Sequence, residues 1–379
     1  MKLRHEFVLK ALEPFANISA LSREYGISRK TAYKWIRRFK EYGVAGLEDL
    51  SRRPHNSPLR ASGDVVLKIL ELKTQYPRWG PKKLHAVLGR FIEEDEVPSV
   101  RTVARVLDRA GLITRRRRKP PLAGRPSDAP QVDCESPNDW WTVDFKGWWS
   151  AKDGARCEPL TVRDAATRYV LCAQLMESTG AVAVRAAFER VFEKYGLPKT
   201  IQVDNGPPFA STRARLGMTT LSAWWVSLGI RVVRGRPSHP EDNGGHERMH
   251  LDIRYDVEDV RASSVTAQQQ RLDEWRHEFN HVRPHEALGQ EVPAELYRPS
   301  PRRFCGSRVP RYPPQLAVRR VTHSGRCRYR GSLIRVGQGF RGYDVGIESV
   351  DQTTVRVQFY ELDLGTFPLL NFSRKRTSI

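Results

Sequence analysis

Long apolar runs are missing from this chain of 379 residues, of which 39% are hydrophobic. The longest apolar stretches are much shorter than the roughly 20 residues that a membrane-spanning helix requires. We therefore expect no transmembrane segment and no membrane partner. Residues 1–6 lead into a polar, amphipathic pattern instead of the apolar core of a signal peptide, so we expect the protein in the cytoplasm.

Cysteine is also scarce, and its pattern excludes two classes of protein. Five cysteines are scattered along the chain, and none belongs to a Cys-x-x-Cys pair. An odd number of unpaired, dispersed cysteines argues against a disulfide framework and against a cysteine zinc site. We predict reduced thiols at all five positions, namely Cys134, Cys157, Cys172, Cys305 and Cys327.

Acidic side chains are few relative to basic ones, and their distribution is uneven. The net charge is +21, with 64 basic and 43 acidic residues. Residues 1–120 contribute +14, residues 121–300 contribute −3 and residues 301–379 contribute +10. A solvated surface could account for the excess alone, but two basic ends around an acidic middle favour binding to nucleic acid. We therefore expect a nucleic acid as a partner of this protein.

The sequence pattern of residues 1–55 predicts a helix-turn-helix DNA-binding domain. Asn17 is placed to cap a first helix from Ile18, Gly26 ends it, and Ser28 is placed to cap a second helix. That second helix has one apolar face and one basic face, which suits the major groove. An ordinary amphipathic helix is the alternative. The residues that we expect to contact DNA are Arg29, Lys30, Lys34, Arg37 and Arg38.

A second helical, helix-turn-helix-like domain is predicted for residues 56–113. Its helices are expected from Asp64 to Gln75, from Pro81, and from Val100 to Arg109 with Ser99 as the cap. Residues 114–137 then form a basic, Pro-rich linker, which we expect to be extended or mobile. Its basic run either follows phosphates or is a solvated tether.

Residues 138–300 mix strand and helix patterns, and residues 311–379 change to short alternating segments punctuated by glycine. The first pattern predicts an α/β core, with a mixed sheet covered by helices on both faces. The second predicts a small all-β domain, a barrel or sandwich. Its basic excess allows a second contact with DNA, although a plain packing module is an equal alternative.

Three carboxylates of the α/β core have local patterns that suit a metal site. Asp144 lies inside an alternating strand, Asp204 ends a β-branched strand before Asn-Gly, and Glu247 falls in the first turn of a helix. Each could be structural by itself. Together they can supply the oxygen ligands that Mg²⁺ and Mn²⁺ prefer, and carboxylates from separate elements can hold two such ions.

Four motifs of the chain resemble those of a known protein family. They are Trp141-Thr142-Val143-Asp144, Val203-Asp204-Asn205-Gly206-Pro207, Asn243-Gly244-Gly245-His246-Glu247-Arg248 and the stretch from Phe279 to Leu288. The chain resembles bacterial insertion-sequence transposases with a retroviral-integrase-type (DDE) core. The resemblance implies an RNase H-like fold and two Mg²⁺ ions bridged by Asp144 and completed by Asp204 and Glu247. It also implies a homo-oligomer that works on double-stranded DNA in the bacterial cytoplasm, associated with the nucleoid.

The chain departs from the family pattern in three places. Asp204 and Glu247 lie further apart than in retroviral integrases, so we expect an insertion near residues 210–220. Pro208 stands where a polar residue is common, and the integrase zinc module is absent. Glu241 is an alternative third ligand, although it precedes the Asn-Gly turn. We expect His246 and His250 to contact substrate or phosphate at most, because Mg²⁺ prefers oxygen ligands.

These patterns predict a DNA transposase that binds the ends of a mobile element, cleaves them to expose 3′-hydroxyls and joins those hydroxyls to target DNA. A catalytically inactive DNA-binding regulator derived from a transposase is the alternative, and the intact carboxylates speak against it. A nuclease of RNase H type is a third possibility. The helix-turn-helix pattern disfavours it, because such units imply defined DNA ends.

Overall fold

The structure is a computed structural model that describes residues 2–49, 61–113, 134–212, 214–236, 239 and 243–369. The chain divides into two compact units, Met1–Ser62 and Gly63–Ile379. Most of the expected linker, residues 114–133, lies outside the described residues. Within the described segments, no helix is both long enough and apolar enough to cross a membrane.

Three helices build the first unit, and their caps are the ones the sequence predicts. They are α1 (Lys2–Ala11), α2 (Ile18–Glu24) and α3 (Arg29–Tyr42). The Asn17 side chain accepts hydrogen bonds from the first backbone N–H groups of α2, and the Ser28 hydroxyl accepts one from the N–H of Thr31. Gly26 makes the turn with a φ of +63°, where a side chain would be strained.

Apolar side chains from all three helices form the core of this unit. Phe7 and Val8 of α1 are fully buried against Ala32 of α3 and Leu47. Ile18 and Leu21 of α2 pack against the same cluster, as do Trp35, Ile36 and Phe39 of α3. The predicted helix-turn-helix is therefore confirmed, and α1 is an additional helix that completes its core.

The second unit begins with three more helices, α4 (Gly63–Gln75), α5 (Pro81–Leu88) and α6 (Val100–Arg109). Ser99 caps α6 as expected, accepting a hydrogen bond from the N–H of Thr102. These helices dock on the α/β core through Arg78, which lies 3.4 Å from a carboxylate oxygen of Asp256 and 3.8 Å from the ring centre of Tyr255.

A five-stranded mixed sheet forms the centre of the core. Its strand order is β5-β4-β1-β6-β7. Strand β4 pairs antiparallel with β1 and with β5, whereas β6 pairs parallel with β1 and with β7. A two-stranded hairpin, β2 with β3, stands beside it. The strands are β1 (Trp140–Phe145), β2 (Trp149–Ser150), β3 (Arg156–Cys157), β4 (Pro159–Asp164), β5 (Val170–Leu175), β6 (Thr200–Val203) and β7 (Arg231–Arg234).

Helices cover both faces of this sheet, as predicted. Trp141 and Val143 of β1 lie on the face packed by α7 (Ala181–Tyr195) and α8 (Thr220–Ser227). The opposite face packs against α9 (Gly244–Ile253) and α10 (Val265–His281), with a π-helical turn at Arg254–Glu258 and a short α11 at Pro293–Leu296. Because side chains alternate along a strand, Thr142 and Asp144 are directed to the α9 face.

The carboxyl-terminal domain is entirely antiparallel, which confirms its predicted class. A four-stranded sheet has the order β13-β12-β11-β8, and β9 pairs with β10. The strands are β8 (Ala317–Arg320), β9 (Arg326–Tyr329), β10 (Ser332–Arg335), β11 (Asp344–Ser349), β12 (Thr354–Phe359) and β13 (Leu362–Pro368).

This β domain packs directly on the α/β core. Met218, Ala223 and Val226 of the core belong to the same buried cluster as the β-domain side chains. The Arg215 guanidinium donates a hydrogen bond of 2.7 Å to the carbonyl of Leu364. The segment in which we expected an insertion therefore contacts the β domain. Packing against the core is one role of this domain.

Candidate active site

The sheet places Asp144 at the centre of the α9 face. In the antiparallel pairing of β1 with β4, Asp144 lies opposite Thr161 and Thr142 lies opposite Arg163. Asp204 follows directly after β6, the parallel neighbour of β1, so both carboxylates stand near the carboxyl ends of adjacent strands. Glu247 lies in the first turn of α9 and is exposed.

Charge connects these three carboxylates. Burial, together with the charges of Asp204 and Glu247, raises the pKa of Asp144 to about 7, against the opposing hydrogen bond from the Phe145 N–H. Burial also raises the pKa of Asp204, partly offset by a hydrogen bond from the N–H of Gly206. These like charges repel one another across a partly buried site, and a divalent cation would neutralise them.

The described residues contain no set of three or more acidic, histidine or cysteine side chains already closed into a metal site. All three donors are carboxylate oxygens, and oxygen is the donor type that Mg²⁺ and Mn²⁺ prefer. The donor set therefore fits such an ion.

Two histidines of α9 bind the floor of the site through threonine hydroxyls. The His246 ring nitrogens lie 2.8 Å from Thr142 Oγ1 and 2.7 Å from Thr161 Oγ1. His250 Nε2 lies 2.8 Å from the same Thr161 oxygen, which also donates a 2.9 Å hydrogen bond to the backbone carbonyl of Asp144. His250 Nδ1 faces Asp144 Oδ2 at 3.9 Å.

Both imidazoles are neutral near pH 7. Burial lowers the pKa of His246 well below its usual range, with His250 and Arg163 adding to the effect. Burial, followed by the charges of Lys146 and Arg163, lowers the pKa of His250 to about 3. His246 is only 1% exposed, so its ring packs inside the protein.

Ion pairs hold the segment that follows α9. Lys146, two residues beyond Asp144, pairs with Glu258 of the π-helical turn. Arg283 is 6% exposed at its side chain and lies 3.3 Å from Asp252, 2.8 Å from Asp256 and 2.7 Å from Glu278. Such contacts fix α9 and its extension to β1 and to α10.

Sequence reasoning missed Thr142, Thr161 and the Lys146–Glu258 pair. Thr142 had a usable signal, because it stands two residues before Asp144 and so shares its face of the strand. Thr161 had none, because its register opposite Asp144 belongs to the folded sheet. The alternative ligand Glu241 lies outside the described residues. Asn243 precedes α9 without a capping hydrogen bond from its side chain.

The basic face of α3 is available to solvent at four of its five expected positions. Arg29, Lys30, Lys34 and Arg37 are exposed. Arg38 is half-buried and donates a 2.7 Å hydrogen bond to the carbonyl of Glu48, so part of its donor capacity is used inside the unit.

Known domain families match both parts of the chain. A helix-turn-helix domain family matches residues 4–55, and the homeodomain-like domain family matches residues 31–107. Two families described as integrase core domain match residues 135–240 and 228–293. The integrase core matches include all three carboxylates: Asp144 and Asp204 fall in the first, and Glu247 falls in the second.

Curated relatives come from insertion elements. The chain is 29% identical over 259 residues to the insertion element IS476 uncharacterized 39.2 kDa protein of Xanthomonas euvesicatoria, covering 67% of this chain and 70% of that one. It is 23% identical over 292 residues to the transposase InsD for insertion element IS2D of Escherichia coli (strain K12), covering 74% and 91% of the two chains.

Among solved structures, the catalytic core domain of BIV integrase aligns at 20% identity with a TM-score of 0.32, covering 42% of this chain and 93% of that one. The HTLV-2 integrase catalytic core domain in complex with magnesium, in its dimeric form, aligns at 16% identity with a TM-score of 0.34. That alignment covers 43% of this chain and 98% of the other.

Proposed function

The chain is related to insertion-sequence transposases and combines helix-turn-helix domains with an integrase core. From this premise we propose that it is a DNA transposase. It binds the ends of a mobile element, cleaves them to expose 3′-hydroxyls and joins these to target DNA. The observation that carries the proposal is that Asp144 lies on the central strand, Asp204 directly follows its parallel neighbour β6 and Glu247 lies in the first turn of α9, all within the residues that match integrase core domains.

We assign Asp144, Asp204 and Glu247 as the metal ligands and catalytic carboxylates. Two Mg²⁺ ions, or Mn²⁺ in their place, would activate the attacking oxygen and stabilise the leaving oxygen when bound. Asp144, on the central strand, Asp204, from the loop after β6, and Glu247, from α9, would hold these ions from separate elements of the fold.

Both reaction steps are in-line displacements at phosphorus without a covalent enzyme intermediate. In the first, a water oxygen bonds to phosphorus at the element end, the bond to the 3′ oxygen breaks and that oxygen leaves as a hydroxyl. In the second, this 3′ oxygen bonds to a target phosphorus and a target 3′ oxygen leaves. The site's task is to hold these oxygens in line within a field of fixed charge.

Residues 1–55 are proposed to recognise the element end through α3. Its exposed Arg29, Lys30, Lys34 and Arg37 can contact base edges and phosphates in a major groove, with Arg38 at the edge of that face. Residues 56–113 are proposed as a second DNA-binding domain. Residues 114–137 are the linker to the core at 138–300, and residues 311–379 form the β domain.

We infer a homo-oligomer, at least a dimer, assembled on DNA in the cytoplasm. Two element ends must be joined to one target, and each chain has one set of Asp144, Asp204 and Glu247. One chain therefore lacks a second site with which to process the second end.

The test is strand cleavage and joining with labelled duplexes that carry the DNA flanking the gene, in the presence of Mg²⁺. Asp204→Asn and Glu247→Gln should abolish both reactions while end binding persists, because the loss of a ligand removes the main electrostatic contribution. Asp351→Asn, at a fully exposed carboxylate of the β domain, is the matched control and should react normally. Full activity of the Asp204 variant would exclude the assignment.

A further inference from the structure

His246 joins the first turn of α9 to two strands of the sheet, beside the residue that we assign as the third ligand. Resting on the proposed function, we propose that His246 and Thr161 are positioning residues. Through their hydrogen bonds they set the placement of Glu247 relative to Asp144, and thereby the affinity of the site for a divalent cation.

When the Thr161 hydroxyl donates to the Asp144 carbonyl, one set of donors satisfies the contacts around Thr161. Its hydroxyl has a single proton, which is donated to the Asp144 carbonyl over 2.9 Å. His246 Nε2 and His250 Nε2, at 2.7 and 2.8 Å, must then both donate to the Thr161 oxygen. A neutral His246 with its proton on Nε2 accepts at Nδ1 from the Thr142 hydroxyl at 2.8 Å, a shorter contact than the 3.4 Å from that hydroxyl to the Arg163 carbonyl.

This network has a directional consequence. Thr142 and Asp144 lie on one strand and Thr161 on the next, so the sheet positions all three together. The position of Glu247 depends on α9 instead of the sheet, because Glu247 is exposed and follows His246 on that helix. A slide of α9 over the sheet would move Glu247 away from Asp144 without disturbing the strand. His246 opposes that slide because its ring is bonded to both strands.

A plain packing role makes a different prediction. A buried ring that only fills space could be replaced by any side chain of similar volume. The polar bridge needs a group that donates on one side and accepts on the other, which a glutamine amide can do and a leucine cannot. Thr161→Val removes only the hydroxyl at nearly constant shape, so it isolates the bridge from the packing.

The test compares Thr161→Val, His246→Gln and His246→Leu with a matched control, Thr167→Val. Thr167 is also buried, and its hydroxyl donates a 2.7 Å hydrogen bond to Asp164 outside the site. Mn²⁺ binding is measured on the full chain without DNA, from the electron paramagnetic resonance signal of free Mn²⁺. Ring ¹⁵N spectra of histidine-labelled protein, with His246 assigned by its loss in the variant, report which nitrogen carries the proton.

We expect Thr161→Val and His246→Leu to weaken Mn²⁺ binding by roughly 10–100-fold, the usual effect of losing a group that orients a metal ligand. His246→Gln should recover most of the affinity, and Thr167→Val should bind like the wild type. The wild-type His246 should show its proton on Nε2.

Equal Mn²⁺ binding by the Thr161 and Thr167 variants would overturn the inference, as would a proton on Nδ1. Failure of the proposed function looks different: wild-type protein would then bind no Mn²⁺ that Asp204→Asn removes, and would cleave no DNA.

Discussion

Replacing Asp144 by Asn should stabilise the fold while it abolishes catalysis. Folding raises the pKa of this carboxyl from 3.8 to about 7, first through burial and then through the charge of Asp204. A tenfold change in acidity corresponds to 1.36 kcal/mol, so this change amounts to about 4 kcal/mol of lost stability once the group is ionised. With the side chain 25% exposed, we expect about 1–3 kcal/mol.

The pH dependence follows from the direction of the shift. Between about pH 4 and pH 7 the folded protein holds a proton on Asp144 that the unfolded chain has released. Wild-type stability from this group is therefore greatest at low pH and is lost as the pH rises through 7. Asn cannot ionise, so the advantage of the variant should grow from pH 5 to pH 8.

The assay is denaturant unfolding in EDTA at pH 5 and pH 8, with a control of opposite sign. At Asp139 burial favours the neutral form, but the 2.7 Å contact with Lys199 and the hydrogen bond from Ser136 outweigh it and lower the pKa. Asp139→Asn should therefore destabilise at pH 8. A variant at Asp144 that is less stable than wild type at pH 8, or an advantage that shrinks with rising pH, would refute the reasoning.

Three further predictions concern DNA and assembly. A fragment of residues 1–120 should bind element-end duplexes with an affinity that falls steeply as the salt concentration rises, and Lys34→Ala and Arg37→Ala should weaken that binding. Gel-shift titrations at two salt concentrations measure the affinity. Binding that does not depend on salt would contradict the prediction. Glu247→Gln should lose cleavage while Glu241→Gln keeps it; the reverse result would transfer the ligand role. A chain with Asp144→Asn mixed with a chain carrying both α3 substitutions should recover some joining if binding and catalysis act in trans, and recovery at no ratio would favour action in cis.

Local chemistry fixed much of the fold in advance. Asn17 and Ser28 cap their helices because short polar side chains can accept from free N–H groups at a helix start, whatever surrounds them. Alternation along β1 identified the face that carries Asp144, because successive side chains of a strand must point to opposite sides. Such features depend on neighbours within a few residues, and the sequence states those neighbours directly.

Contacts between distant segments required the folded chain. The register that sets Thr161 opposite Asp144 comes from the pairing of β1 with β4, and one residue of slip would have turned the threonine to the other face. Burial likewise made His246 a neutral bridge instead of a phosphate contact. The docking of Arg78 on the turn after α9 joins segments about 180 residues apart in sequence.

The sequence by itself therefore determined the fold class, with its helix-turn-helix, mixed α/β core and all-β domain, and it singled out the three carboxylates that we propose as ligands, because each rests on a local pattern or on a motif that can be read in order. Only the tertiary structure decided which charges raise the pKa of Asp144, which hydroxyls hold α9, and that the β domain rests on Met218 and Arg215. These depend on distance and desolvation, which arise when segments remote along the chain pack together and exclude water.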